Sequence, residues 1–190
     1  MNISNKLTIS RIFLTLVFMY FVFARWPGAK YFAFITFLAA SLTDYYDGYF
    51  ARKEGSITDF GKLMDPIADK ILVLSAFLAF VELKLIPAWT VLIIVAREVT
   101  VTGLRIFALT KGKVIEAEEA GKHKTVSQMI AIFMILIFLM FREAGKSLSF
   151  WNCDTEIWVK NLIFVVMLVT VCLTITSGVS FFIKNKKLFS

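Results

Sequence analysis

The chain has 190 residues, 58% of them hydrophobic, and a formal net charge of +7; its mean hydropathy is +0.76. Water-soluble domains of this length hold fewer apolar residues, so the composition excludes an ordinary soluble globule and predicts a bilayer protein. Two cysteines without metal-ligand spacing exclude a disulfide scaffold and a thiolate metal site. The positive charge comes with no nucleic-acid motif, and reads as a topology signal plus attraction to anionic headgroups.

In chain order, residues 1–10 are polar and then amphipathic, which predicts a short N-terminal interfacial segment or helix start. About six apolar stretches follow, near 7–24, 31–52, 60–81, 85–109, 122–141 and 157–183, each near the roughly 20 residues that a spanning helix needs. The first contains Arg11 and lacks a small-residue cleavage site, so it is expected to be a retained span rather than a signal peptide. Trp26-Pro27-Gly28 predicts a tight turn, and residues 53–59, with Gly55 and Ser56, a short loop. The connection from Lys111 to Gly121 carries Glu116, Glu118 and Glu119 among lysines and reads as a solvated charged loop. The connection from Arg142 to Glu156, with Cys153 in it, has no chemical pattern; Cys172 falls within the last span. The fold class expected is all-α, a polytopic bundle of about six transmembrane helices.

Basic connections stay in the cytoplasm. One side collects most of them, from Lys6 and Arg11 through Arg52, Lys53, Arg105, Lys111 and Lys122 to Lys186 and Lys187, whereas the other has Arg25, Lys30, Lys84, Arg142, Lys146 and Lys160. This asymmetry predicts that both termini and the 53–59 and 110–121 connections are cytoplasmic.

Ionised side chains inside spans cost about 2.5–3.5 kcal/mol each on insertion scales, so they need partners, water or a function. The second span ends with Asp44 and Asp47, three apart on one helical face, and the third begins with Asp65 and Asp69, four apart on one face. Because the second span descends to the cytoplasm and the third leaves it, these residues lie roughly 8–14 Å inside adjoining helix ends, at one depth. Four carboxylates in a low dielectric repel unless cations neutralise them. Oxygen-only donors favour Mg²⁺ or Mn²⁺, and a cluster of this size has capacity for two ions, which can neutralise a pyrophosphate and polarise a phosphorus under attack. Gly48 and Ala51 on the same stretch leave room for a ligand to approach, or serve helix packing. Pro66 is tolerated in the first turns of a helix.

The pattern Asp44-x2-Asp47-Gly48-x2-Ala51-Arg52-x8-Gly61-x3-Asp65-x3-Asp69 resembles the signature of the CDP-alcohol phosphatidyltransferases at every fixed position. The resemblance implies a single domain over residues 1–190, two metal ions on Asp44, Asp47 and Asp65, and Asp69 as both metal ligand and general base. It also implies a cytidine diphosphate site near Gly48, Ala51, Arg52 and Gly61, CMP as leaving group, and a homodimer in the bacterial inner membrane.

The acceptor alcohol is read from polar groups at the same end. Arg105 in the fourth span and Lys124 at the start of the fifth, with Lys122 and Thr125 beside it, are candidates to hold a phosphate, the arginine through a bidentate fork. Arg97 and Glu98 read either as part of that site or as buried charges paired with other spans, and His123 as an interfacial bystander. Together with Asn5, Thr8 and Arg11, these segments look like the branch of the family whose acceptor is sn-glycerol 3-phosphate. Inositol phosphate, phosphatidylglycerol and serine stay open as acceptors. A divalent-cation transporter is the competing class, disfavoured because no polar relay continues to the opposite face.

Overall fold

A computed structural model describes residues 3–54, 59–110, 119–145 and 152–185, with side chains for 9–43, 70–108, 121–145, 152 and 154–185. Six helices follow one another, and no strand occurs among the described residues: α1 (Ile3–Phe23), α2 (Ala29–Glu54), α3 (Asp59–Glu82), α4 (Ala88–Thr110), α5 (Glu119–Gly145) and α6 (Cys153–Lys184). At about 1.5 Å per residue each is roughly 30 Å or longer, the thickness of a hydrocarbon core. By length and composition, α5 over Gly121–Gly145 and α6 over Asp154–Lys184 are apolar enough to cross a membrane, and α1 and α2 carry the shorter apolar runs Ile9–Phe23 and Ala29–Thr43. The expected N-terminal segment is the opening of α1 itself, continuous with the first span.

These segments are apolar around much of their circumference rather than along one stripe, so each buries one side and shows hydrocarbon on the other. Phe18, Phe37, Phe77, Phe80, Ile135 and Met167 are wholly inside, while Leu16, Tyr20, Leu92, Trp158 and Ile183 stand outside, as lipid-facing residues do. The centre is aromatic: the Phe18 and Phe37 rings lie 5.3 Å apart, and Phe37 meets Phe133 edge-on at 5.4 Å. α1 packs on α2 and α3, α5 on α6 with α2 and α3 behind it, and α4 on α6 and α3.

Helix ends are set by turn chemistry. Pro27 and Gly28 occupy the centre of a turn closed by the Ala29 amide donating to the Trp26 carbonyl at 3.2 Å, and Gly28 takes φ of +92°, open to glycine at little cost. Glu143 of α5 then accepts from the Gly28 and Lys30 amides at 2.7 and 3.2 Å, satisfying donors at the start of α2. Lys30 Nζ donates to the Val22 and Ala24 carbonyls at 2.6 and 2.9 Å, doing the same for the end of α1. α3 ends in a Schellman motif: the Leu85 amide donates to Phe80 O and the Lys84 amide to Val81 O, both at 2.9 Å. Lys84 takes the left-handed position, φ 57°, and Leu85 is buried like Phe80. That turn and Pro87 delay α4 to Ala88, later than the expected 85.

The expected 142–156 connection is eroded from both sides. α5 continues to Gly145, and α6 begins at Cys153, so Cys153 opens a helix instead of lying in a loop. Thr155 Oγ1 donates to the Asn152 carbonyl and accepts from the Asn152 amide, and Asp154 and Glu156 place negative charge in the first turn. The charged connection before α5 lies, over residues 111–118, outside the described residues.

An L-residue in the left-handed region costs on the order of 1 kcal/mol, so Lys84→Gly is expected to raise the thermal unfolding midpoint in detergent and Lys84→Val to lower it. A midpoint unmoved by either change would contradict strain at this turn.

Candidate active site

α2 carries Asp44 and Asp47 in its closing turns, and α3 carries Asp65 and Asp69 in its opening turns, so the pairs flank one short connection as the sequence predicts. The side chains of these four aspartates, and those of Gly48, Ala51, Arg52 and Gly61, lie outside the described residues. Among the described residues no group of three or more His, Cys, Asp or Glu converges. The carboxylate-only chemistry of the four positions suits a hard divalent cation.

The next residue after Asp69 leads to the described part of the site. Lys70 lines a cavity of about 460 Å³ between α3, α4 and α5, closed on the α6 side by Phe181. All four residues expected on the acceptor side, Arg105, Lys122, Lys124 and Thr125, line this same cavity, although they come from two helices. Arg97 and Glu98 complete its polar wall. His123 is exposed and does not line it.

Glu98, only 5% exposed, organises the cavity floor. Its Oε2 accepts from Lys70 Nζ at 2.7 Å, its Oε1 accepts from Lys124 Nζ, and Arg97 Nη1 reaches Oε1 at 3.3 Å. One carboxylate therefore ties α3, α4 and α5 together. Arg97 extends the network to α6, where its Nη2 donates to Ser177 Oγ at 2.7 Å. Gly178 eases this crossing: a Cβ there would stand 3.3 Å from Arg97 Cγ, so that side chain would have to give way slightly. Arg97 and Glu98 pair with other helices, as the second of their two readings expects, and they also line the cavity.

Charge in the cavity is lopsided. Lys70, Arg97, Arg105, Lys122 and Lys124 face it with Glu98 as the single carboxylate among the described lining residues. Lys70, Arg97 and Lys124 are engaged by Glu98, whereas Arg105 and Lys122 are exposed and have no ion-pair partner among the described residues. A cleft of this sign with two uncommitted cations suits a phosphate, which arginine grips by two parallel hydrogen bonds and lysine as a point charge. Sequence reasoning did not single out Lys70. The signal was present, because a lysine within a span needs an anion, and Glu98 is an ionised residue one helix away that needs a cation.

The model of the CDP-alcohol phosphatidyltransferase family matches residues 1–176. A CDP-diacylglycerol–glycerol-3-phosphate 3-phosphatidyltransferase of Bacillus subtilis (strain 168) is 38% identical, the match covering 97% of this chain and 95% of that protein. Proteins of the same name from Rickettsia bellii and Rickettsia felis are 34% and 31% identical, each match covering 99% of this chain and 97% of the relative. The matched family is one that depends on divalent metal.

Removing one partner from a buried ion cluster leaves charge uncompensated, at a cost of about 3–5 kcal/mol. Glu98→Ala is expected to lower stability toward that extent because it strands Lys124, only 4% exposed, while Glu98→Asp loses less. Thermal unfolding in a neutral detergent measures the difference, and equal midpoints for the two variants and the parent would show that the cluster is not structural.

Proposed function

Because the chain belongs to the CDP-alcohol phosphatidyltransferase family, we propose that it transfers the phosphatidyl group of CDP-diacylglycerol to sn-glycerol 3-phosphate, forming phosphatidylglycerophosphate and releasing CMP. The observation that carries the acceptor is the cationic cavity that begins at Lys70, next in sequence to Asp69, and contains Arg105, Lys122, Lys124 and Thr125. A phosphorylated alcohol fits it, whereas serine offers no phosphate for these cations. The names of the B. subtilis and Rickettsia relatives favour glycerol 3-phosphate over inositol phosphate.

In this reading Arg105 of α4 and Lys122, Lys124 and Thr125 of α5 bind the acceptor phosphate, aiming one of its free hydroxyls toward Asp69 on α3. Asp69 accepts the hydroxyl proton as its oxygen forms a bond to the phosphorus that carries the diacylglycerol. The bridging pyrophosphate bond breaks, and its electron pair leaves with CMP. Gly48, Ala51, Arg52 and Gly61 receive the cytidine diphosphate, while the acyl chains stay in lipid. Asp44, Asp47, Asp65 and Asp69 hold Mg²⁺ or Mn²⁺, two ions in all, which supply charge neutralisation for the pyrophosphate and a lowered hydroxyl pKa. The whole chain acts as one domain and pairs as a homodimer, with both termini and the site at the cytoplasmic face of the bacterial inner membrane.

Purified protein in mixed micelles, given CDP-diacylglycerol, sn-glycerol 3-phosphate and Mg²⁺ or Mn²⁺, is expected to release CMP, with little release when inositol phosphate, phosphatidylglycerol or serine replaces the acceptor. Faster turnover with one of those three overturns the acceptor, and no release with any of them overturns the reaction. Arg105→Ala, which loses one charged hydrogen-bonding group, should raise the KM for glycerol 3-phosphate about tenfold or more and leave that for CDP-diacylglycerol nearly unchanged. Asp69→Asn should abolish turnover while keeping nucleotide-lipid binding better than Asp44→Asn; equal losses would contradict the base role.

A further inference from the structure

A second cavity, about 520 Å³, lies at the opposite end of the bundle, where α1, α3 and α5 finish and α2 begins. Along α5, roughly 27 Å of helix separates Lys124 in the first cavity from Arg142 in the second, at about 1.5 Å per residue. The second cavity is therefore no extension of the site described above.

Its polar groups divide by what they already do. Lys30 and Glu143 are committed to the carbonyls ending α1 and the amides starting α2, so they build the wall. Arg25, Arg142 and Glu82 face the same cavity, and among the described residues none of the three has an ion-pair partner. Arg142 lies with its guanidinium carbon 5.8 Å from the Phe138 ring centroid, which orients the side chain without occupying its hydrogen-bond donors. Two arginines and one carboxylate make a dipolar lining, suited to a phosphate that carries a hydrogen-bond donor on its other side.

The remaining wall says where such a phosphate comes from. Phe23, itself 41% exposed, lines the cavity, while Val22 and Leu139 behind it are buried, so the polar lining continues into the exposed hydrocarbon of Phe23. Trp26, also 41% exposed, stands in the adjoining turn, as tryptophans do at the headgroup level of a bilayer. A free phosphate ester uses none of this apolar surface, whereas a glycerophospholipid places its phosphate on the arginines, its headgroup amine or hydroxyl on Glu82, and the first carbons of its chains along Phe23.

We propose that this cavity binds the headgroup of a glycerophospholipid from the leaflet opposite the active site. The lipid bridges the ends of α1, α3 and α5 and is neither substrate nor product at this position.

The test uses full-length protein freed of lipid in a neutral detergent, with binding followed by native mass spectrometry and by the thermal midpoint. Dioleoylphosphatidylglycerol and dioleoylphosphatidylethanolamine are expected to bind and raise the midpoint, dioleoylglycerol to bind about tenfold more weakly or less. Arg25→Gln combined with Arg142→Gln should reduce phospholipid affinity about tenfold, whereas Arg105→Ala, in the other cavity, should leave this component in place. Arg25→Gln alone, at an exposed turn position, provides the same comparison if the double variant does not fold. Glu82→Gln should weaken phosphatidylethanolamine more than phosphatidylglycerol. The proposal is overturned if dioleoylglycerol binds as tightly as the phospholipids, if the arginine variants bind as the parent does, or if sn-glycerol 3-phosphate alone gives the stabilisation that Arg25→Gln removes.

Discussion

Much of this molecule hangs on a single carboxylate in a place where carboxylates are costly. Glu98 sits inside the bundle, where an isolated charge would be expelled or neutralised, and it persists because lysines from two other helices reach it. In hydrocarbon the usual hydrophobic drive between helices is absent, since lipid tails are as apolar as leucine. A shared ion cluster therefore does more to specify which helices adjoin than it would in water. Lys70 brings the middle of α3, Lys124 the start of α5, and Arg97 carries the contact to Ser177 on α6. The helices that Glu98 holds are those on which the candidate acceptor residues and two of the four aspartates stand.

The same cluster sets the cavity's electrostatics. If its cations and anions balanced, the cleft would be structural only and would offer an anionic ligand nothing. Glu98 instead holds Lys70, Arg97 and Lys124 in place while Arg105 and Lys122, at the mouth, have no ion-pair partner among the described residues. Positioned cations in a low-dielectric cleft cost no reorganisation when a phosphate arrives, which is the general advantage of a prepared electrostatic site. Lys70 also joins the two halves of the proposed chemistry: it is one residue from Asp69 and one ion pair from Glu98, so a shift of α3 disturbs acceptor wall and carboxylates together.

How much of this was legible in the sequence follows from what each signal depends on. The six helices were legible because a bilayer imposes a length and a composition that any window along the chain can show. Their ends were less so. Lys84 in a left-handed turn has no glycine to announce it, and the reach of Glu143 to the start of α2 spans more than a hundred residues of sequence. That Arg105, Lys122, Lys124 and Thr125 line one cavity was legible because basic groups at span ends need a reason, and topology put all four at one end. Glu98's partners were not, because an ionised residue in a span announces a need for a counter-charge without saying which helix supplies it. Spacing gave the four aspartates a shared depth and two shared faces as expectations, and the helix bounds place each pair on the helix expected for it.

The two ends of the bundle solve opposite problems. At the end remote from the aspartates, helix termini are closed by the chain's own groups: Glu143 on the amides of α2, Lys30 on the carbonyls of α1, and a Schellman turn on α3. Each contact spends a polar group on the fold. At the end where the cationic cavity opens, Arg105 and Lys122 have no ion-pair partner among the described residues, and the metal site proposed on α2 and α3 would gather carboxylates that repel one another without a cation. A fold that closes one end tightly can tolerate that repulsion at the other, because the helices stay registered by the remote caps and by the Glu98 cluster. On the proposed function, the site can therefore keep charges available for substrate and metal without the bundle coming apart around them.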